Sequence, residues 1–245
     1  MEVVAVEGLP EVEPGAALGA LLAAAAEPAA GDVLVVSQKV VSKAEGRVVD
    51  LASITPGERA SELAAKHGKD PRVVELVLRE SRRIVRAERG VLIAETNGGW
   101  ICANAGIDSS NVGGADAVAL LPEDADSSAR RLRSEIEVAC GARPAVVVAD
   151  SFGRPWRLGQ ADVAIGCAGL APLDDWRGRT DRDGRELEAT EIAIADQAAA
   201  AADLVRAKDA GVPAALIRGL GRFVTAADGP GAAAIQRPAG EDLFR

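Results

Sequence analysis

The spacing of hydrophobic and polar residues predicts short buried strands separated by amphipathic or Ala-rich helices. Apolar, β-branched runs predict strands at 3–6, 32–37, 145–149 and 214–217. Helices are predicted at 16–26, 55–67, 71–83, 126–140 and 190–208. The helix at 55–67 is expected to begin with Thr55 as its N-cap and Pro56 in its first position.

Two turn signals predict β-hairpins in the middle of the chain. Arg89-Gly90 divides an apolar stretch at 85–95, and Asn97-Gly98 precedes a returning strand at 100–102. The strands therefore come as runs and hairpins rather than in regular βαβ alternation. This pattern favours an α+β fold with mixed or antiparallel sheets and packed helices.

Length and charge narrow the classes of protein that this chain can represent. Its 245 residues suffice for one large domain or for two smaller, intertwined subdomains. The formal net charge of −9 argues against general nucleic-acid binding, which needs a basic surface. An anionic substrate would have to be met by a local basic pocket or by a metal ion.

Cysteine and histidine usage points to a reducing compartment. The three cysteines, Cys102, Cys140 and Cys167, show no paired spacing, and the single histidine, His67, excludes a histidine-rich metal site. We expect reduced, mostly buried thiols in a cytoplasmic protein. The Ala-rich run at 16–30 is broken by Glu27 and Pro28, so we expect neither a signal peptide nor a membrane span.

The segment from 150 to 169 has the strongest chemical character. Asp150 ends an apolar run and is expected to emerge at a strand terminus, next to the hydroxyl of Ser151. Arg154 and Arg157 add fixed positive charge to a turn at Gly153 and Pro155. Oxygen ligands beside guanidinium groups suit a metal-bound phosphate. A strand-end aspartate capping a turn, with two solvated arginines, explains the pattern equally well.

Three further segments are candidates for a site. The loop at 104–112 carries carboxylate, hydroxyl and amide oxygens that suit Mg²⁺ or Mn²⁺, although Asx-rich turns look alike. Lys39 and Lys43 follow a buried strand and could reach phosphates or be solvated loop lysines. The segment 175–187 holds four arginines among acids and glycines, as a mobile substrate loop or a solvated charge run.

The common nucleotide and hydrolase motifs are missing from the sequence. There is no G-x-x-x-x-G-K-[ST] loop and no G-x-S-x-G elbow, and Gly219-Leu220-Gly221 lacks the third glycine of a dinucleotide fingerprint. A Ser-His-Asp triad would depend on His67 alone, at the charged end of a predicted helix.

Five ordered motifs resemble the coenzyme F-420 gamma-glutamyl ligase family. They are S-x-x-x-x-S-K-A-E-G-R, N-A-G-I-D-x-S-N-V, L-L-P-x-D-x-D-x-S-A, D-S-F-G-R-P-W-R and R-G-x-x-D-x-x-G-R-E-L. The resemblance extends from about residue 8 to about 219. It implies an α+β fold of its own type and a homodimer with the active site near the subunit interface. It also implies a GTP-dependent, divalent-metal-dependent ligase that adds L-glutamate to the deazaflavin precursor.

Carried over to this sequence, the resemblance implies roles for individual residues. Metal ligands would be Asp108, Asp150 and Ser151, where family members often have Thr in place of Ser151. The nucleotide would be held by Leu9, Pro10, Glu11, Val12, Gln38, Lys39, Lys43 and Asn111, and by Arg206, Ala207 and Lys208 in a segment that closes over it. Lys43 and Arg154 would steady the transferred phosphate, and Arg177 and Arg179 would bind the precursor.

The implied chemistry is amide formation through an acyl phosphate, with Mg²⁺ or Mn²⁺ and with K⁺ as a further candidate ion. The alternatives are a metal-dependent nucleotide or phosphate hydrolase that uses the same aspartates, and a non-catalytic nucleotide-binding module. The tail at 226–245 is expected to be linker-like. It resembles the two-domain actinobacterial form, in which a reductase domain follows, so a single-domain enzyme and an N-terminal half both fit.

Overall fold

The computed structural model describes residues 1–110, 112–114 and 116–242. The helices are α1 (Leu18–Ala26), α2 (Gln38–Ala44), α3 (Glu58–His67), α4 (Pro71–Arg79), α5 (Ala125–Cys140) and α6 (Ile194–Asp203). The first six strands are β1 (Glu2–Val6), β2 (Val33–Ser37), β3 (Val48–Asp50), β4 (Ser81–Glu88), β5 (Val91–Thr96) and β6 (Ile101–Ala103). The next are β7 (Ala117–Ala119), β8 (Ala145–Arg154), β9 (Arg157–Ala168), β10 (Leu173–Asp175), β11 (Glu191–Ala193) and β12 (Ala214–Arg218).

The central feature is a five-stranded mixed sheet in the order β1-β12-β2-β8-β9. Neighbouring strands are antiparallel except β2 and β8, which run parallel. The apolar residues of β2 and those at 145–149 of β8 are buried because both faces of the sheet are covered there. Alternate side chains pack against α1 and α5 on one face and against α6 on the other. The sequence prediction of an α+β fold with mixed sheets is confirmed.

A second cluster of elements supports the loop that carries Asp108. The antiparallel sheet β4-β5-β6 packs against α3 and α4 around Val74, Val77 and Leu92. A short β3–β7 ladder joins it, and Asp108 forms a bridge with Ala119 of β7. Both predicted hairpins are present. Arg89 and Gly90 have φ of 50° and 76°, as the twisted turn between β4 and β5 requires.

Several predicted helix boundaries were wrong, and strand pairing explains two of the differences. Helix α3 begins at Glu58 with Gly57, not Thr55, as its N-cap. Helix α4 ends at Arg79 because the chain then pairs with β5, and α6 begins only at Ile194 because 191–193 pair with β10. The polar segment around Lys43, expected to be a loop, is helix α2.

The described part of the tail, predicted to be linker-like, makes hydrogen bonds to several parts of the domain. Asp228 accepts hydrogen bonds from Arg133 (2.8 Å) and Arg143 (3.1 Å). The carboxylate of Asp126 accepts from the backbone amide of the buried Ala232 at 2.7 Å. The Gln236 amide donates to the carbonyl of Gly98 at 2.9 Å. Within the described residues, no helix is long and apolar enough to cross a membrane.

Candidate functional site

A cavity of about 380 Å³ lies beside the carboxyl end of β2 and the middle of β8. The two strands are adjacent and parallel, with Ser37 at the end of β2 paired with Ala149, so the residues that follow each of them lie at the same edge of the sheet. In open sheets, ligands bind preferentially at such an edge. The lining residues come from 9–12, 37–40 with 43, 108, 149–151 with 162, and the segment between 203 and 213.

Three aspartates meet at this edge. Asp150 follows the apolar part of β8, Asp162 lies on β9 opposite Ser151, and Asp108 comes from the loop after β6. Burial is the largest cause that raises the pKa of Asp150, and the negative charges of Asp162 and Asp108 act in the same direction. The Ser151 amide and Lys208 oppose them, and the net result is a pKa of about 7. Of the three aspartates, Asp150 is therefore the one whose ionised form a bound cation would stabilise most.

Two lysines of helix α2 neutralise part of the negative charge in the cavity. The Lys39 ammonium lies 2.9 Å from the Asp108 carboxylate and donates to Ser110 Oγ at 2.8 Å. Burial alone would raise the pKa of Asp108, but the hydrogen bonds from Lys39 and Ser110 outweigh it and lower the pKa. Lys43 pairs with Glu11.

The charge balance of the cavity remains negative. Among the described residues that line it, six are acidic and four are basic: Glu11, Asp108, Asp150, Asp162, Asp203 and Asp209 against Lys39, Lys43, Arg206 and Lys208. A nucleoside triphosphate is itself anionic and would be repelled by an excess of carboxylates. A cation bound with the nucleotide would remove this repulsion.

The donor set fits a hard divalent ion that shares its ligands with a substrate. Asp108, Asp150 and Ser151 offer carboxylate and hydroxyl oxygens, which Mg²⁺ and Mn²⁺ prefer. Over the described ranges, no group of three or more acidic, Cys or His side chains is placed to hold an ion by itself. Mg²⁺ typically takes one or two carboxylates and completes its shell with phosphate and water, so the arrangement suits a metal–nucleotide complex.

The structure brings together most of the residues that the sequence suggested, but not all. Lining the cavity together are Leu9, Pro10, Glu11, Val12, Gln38, Lys39, Lys43, Asp108, Asp150, Ser151, Arg206, Ala207 and Lys208. Asn111 lies outside the described residues. Asp150 was expected at a strand terminus, but β8 continues to Arg154 because β9 pairs with it.

Three arginines with expected roles do not line the cavity. Arg154 donates to the carbonyl of Leu158 at 2.6 Å, within its own β8–β9 turn. Arg177 pairs with Asp175 (2.7 Å) and Glu191 (3.0 Å). Arg179 lies 5.0 Å from the centre of the Trp176 ring. The segment around Arg177 and Arg179 is a folded hairpin, with Thr180 bridged to Glu186, rather than an irregular loop.

Asp162, like Asp203, is a polar residue of the cavity that sequence reasoning missed. Its carboxylate accepts a hydrogen bond from Ser151 Oγ at 2.6 Å and pairs with Arg206, and it is only 4% exposed. The signal was present in the sequence, since Asp162 is a lone carboxylate at the start of the apolar run 161–168. That Asp162 lies opposite Ser151 could not be predicted from the sequence, because it depends on the register between β8 and β9.

Comparison with known proteins agrees with this geometry. The family model described as F420-0:Gamma-glutamyl ligase matches residues 8–219, which include every residue lining the cavity. This chain belongs to that family. The proteins named coenzyme F420:L-glutamate ligase from Methanopyrus kandleri and Methanothermobacter thermautotrophicus are similar to it, with 46% and 41% identity. These alignments cover 96% and 94%, and 100% and 99%, of this chain and of the relative, respectively.

A haloarchaeal relative gives the same result. The Natronomonas pharaonis protein of the same name is 48% identical over 225 residues, which cover 89% of this chain and 86% of the relative. The match to the gamma-glutamyl ligase family confirms the resemblance inferred from the five motifs.

Proposed function

We propose that this chain is a ligase that joins L-glutamate to the deazaflavin precursor of coenzyme F420 and consumes GTP. The observation that carries the proposal is one cavity that collects Asp108, Asp150 and Ser151 together with Lys39 and Lys43, inside the region that matches the family. Relatives at 41–48% identity that carry the name coenzyme F420:L-glutamate ligase support it.

The reaction that fits this cavity is phosphoryl transfer followed by amide formation. The terminal carboxylate of the precursor attacks the γ-phosphorus of GTP, which forms an acyl phosphate and releases GDP. The α-amine of glutamate then attacks the acyl carbon, inorganic phosphate leaves, and the amine loses a proton to water. No protein nucleophile takes part, so the role of the side chains is to position the reactants and to balance charge.

The side chains of the cavity divide this work between them. Asp108, Asp150 and the Ser151 hydroxyl would hold divalent metal, Mg²⁺ or Mn²⁺, with K⁺ as a further candidate ion. The metal would neutralise phosphate charge. Lys43 would leave its present partner Glu11 and bind a phosphate oxygen, and Lys39 would leave Asp108 in the same way. Both lysines already line the cavity. The segment between 203 and 213 would cover the nucleotide.

The deciding experiment is mass spectrometry of products from precursor, L-glutamate, GTP and Mn²⁺, with GDP release measured alongside. A glutamylated product and GDP release that requires both acceptor and glutamate are expected. GDP release without either substrate would instead identify a nucleotide hydrolase. Absence of both product and GDP release would favour a non-catalytic nucleotide-binding module. Omission of the metal should abolish turnover.

The Arg177–Arg179 hairpin is our proposed contact for the precursor, whose phosphodiester and carboxylate are anionic. Both arginines are half exposed, so a bidentate anion could replace their present acidic partners. Replacing either with alanine should raise the precursor KM roughly tenfold and leave the GTP KM unchanged. Arg86→Ala is the control, because Arg86 is also exposed and pairs with Glu88 on another hairpin. A selective rise in the GTP KM would place the hairpin at the nucleotide instead.

The functional unit is proposed to be a homodimer with its active sites near the subunit interface. Mass photometry or light scattering of the purified chain should give twice the 25.1 kDa chain mass. A monomer with full ligase activity would contradict this assembly.

A further inference from the structure

A closed ring of hydrogen bonds and ion pairs joins the segment after α6 to the two strands beneath the cavity. Ser151 Oγ donates to one oxygen of Asp162 at 2.6 Å, and the other oxygen of Asp162 pairs with Arg206. Two residues later, the Lys208 ammonium donates to the same Ser151 Oγ at 2.6 Å. The ring therefore contains Asp162, Arg206, Lys208 and Ser151, and all four line the cavity.

Arg206 also holds the far end of the segment 206–213. Arg206 donates to the carbonyl of Pro213 at 3.3 Å, and that carbonyl also accepts the backbone amide of Ser37 at 2.8 Å. Arg206 thus closes the 206–213 segment on itself and attaches it to the middle of β9, while the Pro213 carbonyl attaches it to the end of β2. Since Arg206 is 7% exposed and Asp162 is 4% exposed, the attachment is screened from water.

The ring also determines how the Ser151 hydroxyl is oriented. A hydroxyl has one proton and two acceptor lone pairs. Its proton is committed to Asp162, and one lone pair accepts from Lys208, so a second lone pair stays available toward the cavity. A metal ligand whose proton is directed away from the ion is well prepared for binding.

We propose that Asp162 is a positioning residue of the ligase site, which fixes the Ser151 hydroxyl and, through Arg206, places Lys208 over the phosphate-binding part of the cavity. This rests on the proposed function for its kinetic consequence, although the ring itself does not. Asp162 would not contact the reacting atoms, because both of its oxygens are occupied by protein partners.

The Asp162→Asn variant tests the proposal in three measurements. We expect kcat to fall about 10–100-fold, as is typical when the partner of a metal ligand is removed. The KM for GTP should rise while the precursor KM changes little, since the ring touches the nucleotide part of the cavity. Trypsin should cleave after Arg206, because the freed guanidinium can enter the protease pocket; in the unaltered protein the ion pair protects it.

The matched control is Asp228→Asn, which removes the carboxylate partner of another buried arginine, Arg133, away from the cavity. It should retain the kcat of the unaltered protein and leave Arg206 protected. If both variants lost the same amount of activity, the loss in Asp162→Asn would be explained by a general decrease in stability, and the proposal would be overturned. Unchanged kcat, GTP KM and Arg206 cleavage in Asp162→Asn would also overturn it.

Two further variants keep the test decisive if Asp162→Asn does not fold. Asp162→Glu keeps the charge for Arg206 but moves the oxygens by one methylene, so kcat should fall while the melting temperature stays close to that of the unaltered protein. Combined with Lys208→Gln, its effect should be less than additive, because both changes act through the same ring. Full activity of Asp162→Glu, or strictly additive losses in the double variant, would contradict a positioning role for the ring.

The proposed function and the ring can fail independently. If the unaltered protein makes no glutamylated product, the proposed function fails. Trypsin cleavage after Arg206 in Asp162→Asn then still shows whether the ring holds the 206–213 segment in place.

Discussion

At the scale of single residues, Asp150 shows how function and stability oppose each other in this cavity. A carboxylate with its pKa raised to about 7 by burial and by Asp162 and Asp108 is costly to hold ionised. Such a cost is tolerated where a ligand later relieves it.

We expect Asp150→Asn to lower ligation at least about a hundredfold, because the proposed metal site would lose a ligand. The melting temperature should be equal or higher, because the amide removes repulsion with the neighbouring carboxylates. Asp116→Asn is the control, since Asp116 is exposed and pairs with Arg72 outside the cavity. Near-normal turnover of a folded Asp150→Asn protein would refute the metal assignment.

The cysteines separate by burial in a way that labelling can measure. Burial, and to a lesser extent the charge of nearby aspartates, raises the pKa of both Cys102 and Cys167 to about 12. Their thiols therefore stay protonated and unreactive at pH 8, whereas Cys140 is exposed at the end of α5. A disulfide reagent should modify one thiol per native chain and all three after denaturation. Rapid reaction of two or three thiols in the native protein would contradict this burial pattern.

At the scale of elements, the packing of α5 on β9 depends on a residue without a side chain. A Cβ built on Gly166 would lie 2.2 Å from the backbone carbonyl oxygen of Ala125, at the start of α5. Gly166→Ala should therefore push the helix away and lower the free energy of unfolding by about 1–3 kcal/mol or more. The measurement is urea denaturation followed by circular dichroism.

Gly153→Ala provides a matched comparison for Gly166→Ala in the same pair of strands. Nothing lies within 4 Å of a Cβ at Gly153, so this change should leave stability nearly unaltered. Similar losses in both variants would contradict the approach of α5 as the cause, since nothing lies close to a Cβ at Gly153.

Local pattern predicted the elements better than their arrangement. The runs that form β2, β8 and β12 were visible because each is apolar and β-branched, and the hairpin turns were visible from Arg89-Gly90 and Asn97-Gly98. The insertion of β12 between β1 and β2 could not be read, because pairing partners distant in the chain leave no periodic signal. The predicted end of α4 and the predicted start of α6 were wrong because strand pairing with distant parts of the chain overrode helix propensity.

At the scale of the whole molecule, the candidate site is assembled from segments spread between residues 9 and 213. Residue chemistry alone suggested the oxygen ligands and lysines separately, and only the ordered motifs indicated that they belong together. Asp162 was missed because its role depends on strand register and on a buried arginine from a distant segment. The sequence could thus predict the class of site but not its internal contacts.

The tail contributes to the stability of the whole domain through Asp228. Hydrogen bonds from the buried Arg133 lower the pKa of this carboxyl despite partial burial, and Arg143 adds to the effect. A lowered folded-state pKa means that the stabilisation is present above the ordinary value of 3.8 and is lost as the pH falls through the folded-state pKa.

Asp228→Asn should therefore destabilise the protein in a pH-dependent way. At pH 7 we expect a loss of about 1–3 kcal/mol, since Arg133 keeps its carbonyl acceptors but loses an ionised partner. The difference between the two proteins should shrink as the pH falls below 3.8, because a protonated aspartate resembles asparagine. Urea denaturation at several pH values measures this difference. A loss of the same size at pH 7 and at pH 3 would show that shape rather than charge fixes the tail.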